Sequence, residues 1–254
     1  MSLQLRRLIP EQFLIADNEY FTLLALVAVV VLVGIIVSLS IGTKRNSKNT
    51  FLLTGLPFAG KTAIYYMINN DKVVETVTSI KENEVDIVLS EGKSPVHLVD
   101  IPGHERLRFK FSEFMPIARA IIFVVDSSTV SRQTRLLAEY LYDILADKFA
   151  QEERIPVLIA CNKSDLLTAF DKERIQTLLE EEINRLRQTR TAALDTQDSE
   201  GNESVFLGYE GKDFSFQDLE NEVEFIECSA GGNIVSNAFI PLEASFFAKN
   251  EAGL

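Results

Sequence analysis

Residues 55–62 read GLPFAGKT, a match to G-x-x-x-x-G-K-[ST], and their types are those a phosphate-holding loop requires. Small residues let successive backbone N–H groups turn inward around an oxyanion. The expected cradle runs through Gly55, Pro57, Phe58, Ala59, Gly60, Lys61, Thr62 and Ala63. Lys61 would bring a point charge to the outer phosphates, and the Thr62 hydroxyl can ligate Mg²⁺. An ordinary strand-to-helix turn would account for Gly60 but not for the Lys-Thr pair beside it. Pro57 has no N–H to give, so the cradle has one donor fewer and a stiffer backbone there.

Downstream lies DIPGHE, residues 100–105. A carboxylate at Asp100 can hold Mg²⁺ directly or through water, and the Gly103 N–H suits a terminal phosphate oxygen. D-x-x-G alone is weak, but it falls 38 residues after Thr62 with two strand patterns between. His104 admits two readings: an imidazole that orients an attacking water, or an exposed residue that meets a partner or solvent. Arg106 and Arg108 read as contacts of the same surface. In residues 71–83, DKVVETVTSIKEN, Thr78 and Ser79 are both candidates for a further Mg²⁺ hydroxyl.

Two more segments address a base. NKSD, Asn162 to Asp165, ends an apolar run. An aspartate there can accept from guanine N1–H and the 2-amino group, a donor pair that adenine lacks, so Asp165 would select GTP or GDP. Asn162 would brace the loop, and the Lys163 stem would cover the base plane. CSA, Cys228–Ala230, can offer the backbone N–H groups of Ser229 and Ala230 to guanine O6. Gly231 follows.

Short apolar runs alternating with helical patterns place these segments in an α/β sheet with helices on both faces. FLLT (51–54) is the first strand and a helix opens near Gly60. EVDIVLS (84–90) and VHLVDI (96–101) predict an antiparallel edge hairpin, with His97 structural. AIIFVVD (120–126) and VLIACN (157–162) are continuous apolar runs, as in parallel strands covered on both faces. EFIECS (224–229) is the last strand. Helices are expected around 130–148 and 171–188, with another near the C-terminus. Residues 189–213, polar and weakly periodic, read as a mobile surface insertion.

The first fifty residues differ. Phe21–Ile41 is uncharged over 21 residues, about 31 Å as a helix, the thickness of a bilayer core. Basic residues Lys44, Arg45 and Lys48 follow it, which favours a cytosolic placement of what comes after. The expected division is a luminal segment 1–19, a transmembrane helix 20–42, a linker 43–50 and a cytosolic nucleotide-binding domain 51–254. The net charge of −12, sequence pI of about 4.8 and absence of a basic stripe argue against nucleic acid as a ligand. Cys161 and Cys228 sit in apolar runs and read as buried reduced thiols.

Taken in order, the four segments resemble the nucleotide-binding boxes of small GTPases, and GLPFAGKT resembles the ADP-ribosylation-factor and Sar-type coat GTPases, whose alignment favours Ser79 over Thr78. With TSI (78–80), DIPGHERLR, ARAIIFVVDSS, LIACNKSD, LRQTRTAA and GKDFSF before VEFIECSA, the chain resembles the family of signal recognition particle receptor beta subunits. The resemblance implies a P-loop small-GTPase fold with a mostly parallel six-stranded sheet, preceded by one membrane helix. It implies GTP/GDP and Mg²⁺ as ligands and the endoplasmic reticulum membrane as location. It also implies a heterodimer with the receptor alpha subunit, whose N-terminal domain is recruited in the GTP form through the two switch segments. The translocon and ribosome follow as further partners. Coat-type relatives carry histidine at the place of His104, which supports the water-positioning role, and hydrolysis is expected to be slow and partner-dependent. A coat-type enzyme with a full hydrolysis cycle in membrane traffic is the alternative.

Overall fold

The computed structural model describes residues 48–70, 75–88, 95–194 and 206–230, with side chains through residue 190 in the long third segment. The chain divides into two units, Met1–Ser47 and Lys48–Leu254, and every described residue belongs to the second. Among the described residues no helix is long and apolar enough to cross a membrane. The 20–42 segment and the helix expected near the C-terminus lie outside them.

Among the described residues six strands form one sheet in the order β2-β3-β1-β4-β5-β6. They are β1 (Thr50–Gly55), β2 (Asn83–Ile87), β3 (Val96–Asp100), β4 (Ala118–Asp126), β5 (Val157–Asn162) and β6 (Val223–Glu227). Only β2, paired with β3, runs antiparallel, as the hairpin pattern predicts; the other ladders are parallel. β1 starts at Thr50, inside the stretch read as linker.

Alternation along the parallel strands builds two cores. Leu52, Ile121, Phe123, Val125 and Ile159 face one side, Leu53, Ile122, Val124, Leu158 and Ala160 the other. The helix α1 (Lys61–Asn70) covers the second face with Ile64 and Tyr65. After β3 the chain makes a 3₁₀ turn (Glu105–Lys110), the short α2 (Phe111–Phe114) and a second 3₁₀ turn (Met115–Ile117). The first face is covered by α3 (Val130–Leu145), whose Val130, Leu137, Ala138, Leu141, Ile144 and Leu145 repeat at helical spacing. Tyr140 on α3 buries its ring, and its hydroxyl meets Thr54 Oγ1 at 2.5 Å.

Two helices differ from the sequence expectation. The one expected around 130–148 stops at Leu145, and α4 (Lys148–Glu152) begins anew. Asp147 forces the break: its extended backbone and its carboxylate, accepting from Phe149 N and Ala150 N, cap the second helix. The last helix, α5 (Lys172–Leu194), runs past residue 188 and takes in the first residues of the expected insertion. Residues 206–213 at its other end pack against α5, with Leu207 buried. The reason is Arg187, whose guanidinium donates to Leu207 O, Tyr209 O and Lys212 O. The intervening 195–205 lie outside the described residues.

Cys161 and Cys228 are buried free thiols assigned to opposite cores. The sheet therefore separates them, and burial pushes both thiols up, Cys228 to about 12.

Candidate functional site

The parallel strands end at one edge of the sheet, in Gly55, Asp100, Asp126 and Asn162, and ligands of open α/β sheets lie outside such carboxyl ends. The 55–62 loop bridges β1 and α1 there. Gly55 has φ 135° and passes so close to β4 that a Cβ would fall 2.3 Å from Val124 O. Gly60 has φ 92°, and a Cβ would fall 2.2 Å from Asn162 Nδ2. Both positions need glycine for conformation and for space.

Lys61 opens α1 and is buried at 7% exposure, with Nζ donating to Leu56 O at 2.8 Å. Burial lowers its pKa from 10.5 to about 8, with Asp100 pulling it up and Arg108 down. A buried ammonium on a loop of inward small residues is the electrostatic counterpart of an oxyanion. Gly103 lies against the same loop: a Cβ there would fall 2.5 Å from Gly55 O and 2.6 Å from Lys61 Nζ. Pro57, Phe58, Gly60, Lys61, Thr62, Thr78, Ser79 and Gly103 line one cleft. Ala59 is buried behind it, Ala63 packs toward the α1 core, and Phe58 is 78% exposed.

Thr62 Oγ1 donates to Asp100 Oδ2 at 2.7 Å and meets Ser79 Oγ at 3.1 Å. Of the two hydroxyls weighed in the 71–83 stretch, Ser79 is the one that reaches Thr62. Asn83 Nδ2 also donates to Asp100 Oδ2, at 3.1 Å. Asp100 Oδ1 is buried and has no hydrogen-bond partner among the described residues. Burial raises the pKa of this carboxyl, opposed by the Thr62 hydrogen bond, Lys61 and Asn83. A buried carboxylate oxygen with no donor, beside two hydroxyls, is a set of hard oxygens that fits Mg²⁺. Thr62, Ser79 and Asp100 are the residues that would hold it.

On the base side, Asn162 Nδ2 donates to Ala59 O at 2.7 Å while Oδ1 accepts from Ala230 N at 3.0 Å. One buried amide thus ties the 55–62 loop to CSA. Ser164 N and Oγ both donate to Cys228 O. Ser229 is buried and Asp165 is exposed in the loop after β5. Lys163, at φ 62°, donates from Nζ to Phe58 O at 2.9 Å and to Asp126 Oδ2 at 2.6 Å. Asp126 was missed from the sequence, where DSS after an apolar strand signals only a turn; so was Asn83.

His104 is exposed and stands apart from this cluster. It is the N-cap of the Glu105–Lys110 turn, with Nδ1 accepting from Arg106 N at 3.3 Å. Arg108 Nε donates to Gly103 O at 3.5 Å and its guanidinium lies 5.1 Å from the centre of the Tyr140 ring. His97 is structural, between Asp86 and Glu84 on the edge hairpin.

A mixed sheet in this strand order, a glycine-lysine loop opening its first helix, and an asparagine joining that loop to two later strand ends define a protein of the small-GTPase class. The family model described as signal recognition particle receptor beta subunit matches residues 46–223. The Homo sapiens signal recognition particle receptor subunit beta is 41% identical over 215 residues, 83% of this chain and 79% of that one. The structure of the mammalian SRP receptor aligns with TM-score 0.64 and 38% identity, covering 72% of this chain and 92% of that chain. A Chaetomium thermophilum signal recognition particle receptor SRb-GDP-Mg structure aligns with TM-score 0.55 and 27% identity, covering 72% and 91%. The chain belongs to the signal recognition particle receptor beta subunit family.

Proposed function

We propose that this chain is the guanine-nucleotide switch of a signal recognition particle receptor, binding GTP or GDP with Mg²⁺. The observation that carries the reading is the Thr62–Asp100 pair, with Asp100 Oδ1 buried and without a partner among the described residues, beside the Ser79 and Thr62 hydroxyls. Lys61 and the backbone of residues 55–63 would take the phosphates, Gly103 the terminal one. Asp165 would select guanine, with Ser229 and Ala230 at O6 and the Lys163 stem over the ring. The GDP–Mg form of the Chaetomium relative supports the same ligand pair.

The partner in this reading is the receptor alpha subunit, bound as a heterodimer through its N-terminal domain in the GTP state. Val77, which lines the cleft at the phosphate loop, is 89% exposed, and Ile80 and Phe109, in the segments that hold Ser79 and follow Gly103, are 83% and 60% exposed. Apolar side chains left in water beside a switch favour a protein contact that depends on the nucleotide. Residues 20–42 would anchor the chain in the endoplasmic reticulum membrane, with 1–19 luminal, 43–50 a linker and 51–254 cytosolic. The translocon and ribosome would be met through the assembled receptor.

Hydrolysis in this reading is slow and set by a partner, with His104 exposed and capping the Glu105–Lys110 turn through Nδ1. A coat-type enzyme with its own full cycle has no comparable support. The test is capture of alpha-subunit fragments by full-length chain loaded with GTP, GDP or neither, with and without Mg²⁺. Capture in the GTP–Mg²⁺ state alone is expected; equal capture in all states would sink the switch reading.

A further inference from the structure

The loop that leaves β4 matches none of the nucleotide motifs, yet it grips the base-side lysine. Asp126, the last residue of β4, is 8% exposed and both its oxygens are engaged. Oδ1 accepts from Ser128 N at 3.0 Å and Ser128 Oγ at 2.6 Å; Oδ2 accepts from Lys163 Nζ at 2.6 Å. The same ammonium donates to Phe58 O of the phosphate loop. The residue between them joins in: Ser127 N donates to Asn162 O and Phe170 N donates to Ser127 O, each at 3.0 Å. Residues 126–128 therefore bond to the start and the end of the 162–170 loop.

This arrangement has a physical consequence for Lys163. Its backbone is left-handed at φ 62°, a conformation disfavoured for a residue with a Cβ. Its four-carbon stem would sample many rotamers in water. A short charge-assisted bond to a carboxylate is the strongest restraint available to it. Ser128 fixes the other oxygen, so the carboxylate cannot rotate away. The stem is then stretched between the β4 end and the phosphate loop. Burial alone would push the Asp126 carboxyl up, but the Lys163 and Ser128 hydrogen bonds hold it below the ordinary range; the acid is ionised whenever the site works.

We propose that Asp126 is a positioning residue of the nucleotide site, acting through Lys163: it pins the ammonium so that the lysine stem forms a fixed wall over the purine plane and slows nucleotide escape. The inference rests on the guanine-nucleotide reading above.

The test uses the full chain loaded with a fluorescent GDP analogue and chased with excess unlabelled GDP. Wild type, D126N, K163M and the double variant are compared. D126N should speed dissociation about tenfold, the loss of roughly 1.4 kcal/mol. K163M should speed it at least as much, and D126N should add less than about twofold in the K163M background. D126E, which keeps the charge, should recover part of the wild-type rate. A merely structural Asp126 would show the same acceleration with or without Lys163, and that result overturns the proposal, as does D126N dissociating like wild type. If D126N does not fold, S128A serves: about threefold faster release is expected, abolished by K163M, and no change overturns the proposal. Wild type that takes up no GDP would bring down the nucleotide reading itself, a different outcome from wild type that binds while D126N behaves identically.

Discussion

Asn83 and Asp100 face each other across the β2–β3 ladder, and the Asn83 amide donates to Asp100 Oδ2 at 3.1 Å. The register of an edge hairpin thus orients the carboxylate proposed to hold Mg²⁺. Thr62 donates to the same oxygen, and Oδ1 has no hydrogen-bond partner among the described residues. Asn83→Ala removes one of these two restraints. Mg²⁺-dependent GDP affinity should fall about tenfold, in the range typical of residues that orient metal ligands. Affinity measured in EDTA should not change. Equal loss in both conditions would make Asn83 a fold residue.

Lys61 gives a pH dependence with a definite sign. Its folded pKa is about 8 against 10.5 for the free group, so between these values the unfolded chain holds a proton that the folded chain has released. Stability of the nucleotide-free domain should therefore rise with pH through that window and show no gain below 8. The upper bound is about 3 kcal/mol for a shift of this size. Lys61→Met should lack this rise in denaturant titrations at pH 7.5, 9 and 10. Bound phosphate would favour the ammonium, so GDP affinity of the wild type should weaken above pH 8.

Gly60→Ala places a methyl 2.2 Å from the Asn162 amide at φ 92°. Asn162 cannot retreat without releasing Ala59 O and Ala230 N. A loss of about 3 kcal/mol of stability is expected, with nucleotide binding abolished. Gly211→Ala is the control: φ is 76° but none of the described residues lies within 4 Å of an added Cβ, so about 1 kcal/mol should be lost and binding kept. Thermal melts and GDP titrations on both variants separate the cases.

His104 separates capping from catalysis. Its imidazole accepts from Arg106 N at the head of the Glu105–Lys110 turn. His104→Asn should keep the cap, while His104→Ala should cost about 1 kcal/mol. Single-turnover GTP hydrolysis without partner should stay within about threefold of wild type in both, since general acid–base contributions are larger than that. A hundredfold drop in both would establish the water-orienting role instead.

What could be read from sequence follows from where the signal resides. GLPFAGKT announces itself because glycine, lysine and threonine are each required at fixed spacing, and the parallel strands because they are apolar throughout. Asp126 and Asn83 gave no such signal: each acts on a residue brought near by strand pairing, 37 residues on in one case and 17 in the other. The reach of α5 was hidden for a related reason. Thr189 and Thr191 weaken the helical pattern, and the partner that holds 206–213 in place recognises backbone carbonyls, which leave no mark on side-chain type. The break at Asp147 went unread because apolar residues continue at helical spacing on either side of it.

Arg187 makes the last point testable. It is 3% exposed on α5 and donates from Nη1 to Leu207 O and Tyr209 O, and from Nη2 to Asn184 Oδ1 and Lys212 O. The guanidinium also lies 4.7 Å from the Phe206 ring centre and 5.6 Å from that of Phe214. Glu180, two turns earlier, accepts from Phe216 N, so one face of α5 holds the returning chain at several heights. A lysine at 187 could reach one carbonyl but not span three, and it would leave a compact ammonium among apolar rings. Arg187→Lys should cost about 3 kcal/mol and open 206–213 to limited proteolysis, while GDP affinity stays unchanged because the proposed nucleotide site takes no residue from this face. Cleavage at the wild-type rate would mean that Leu207 and Phe214 hold the segment by burial alone.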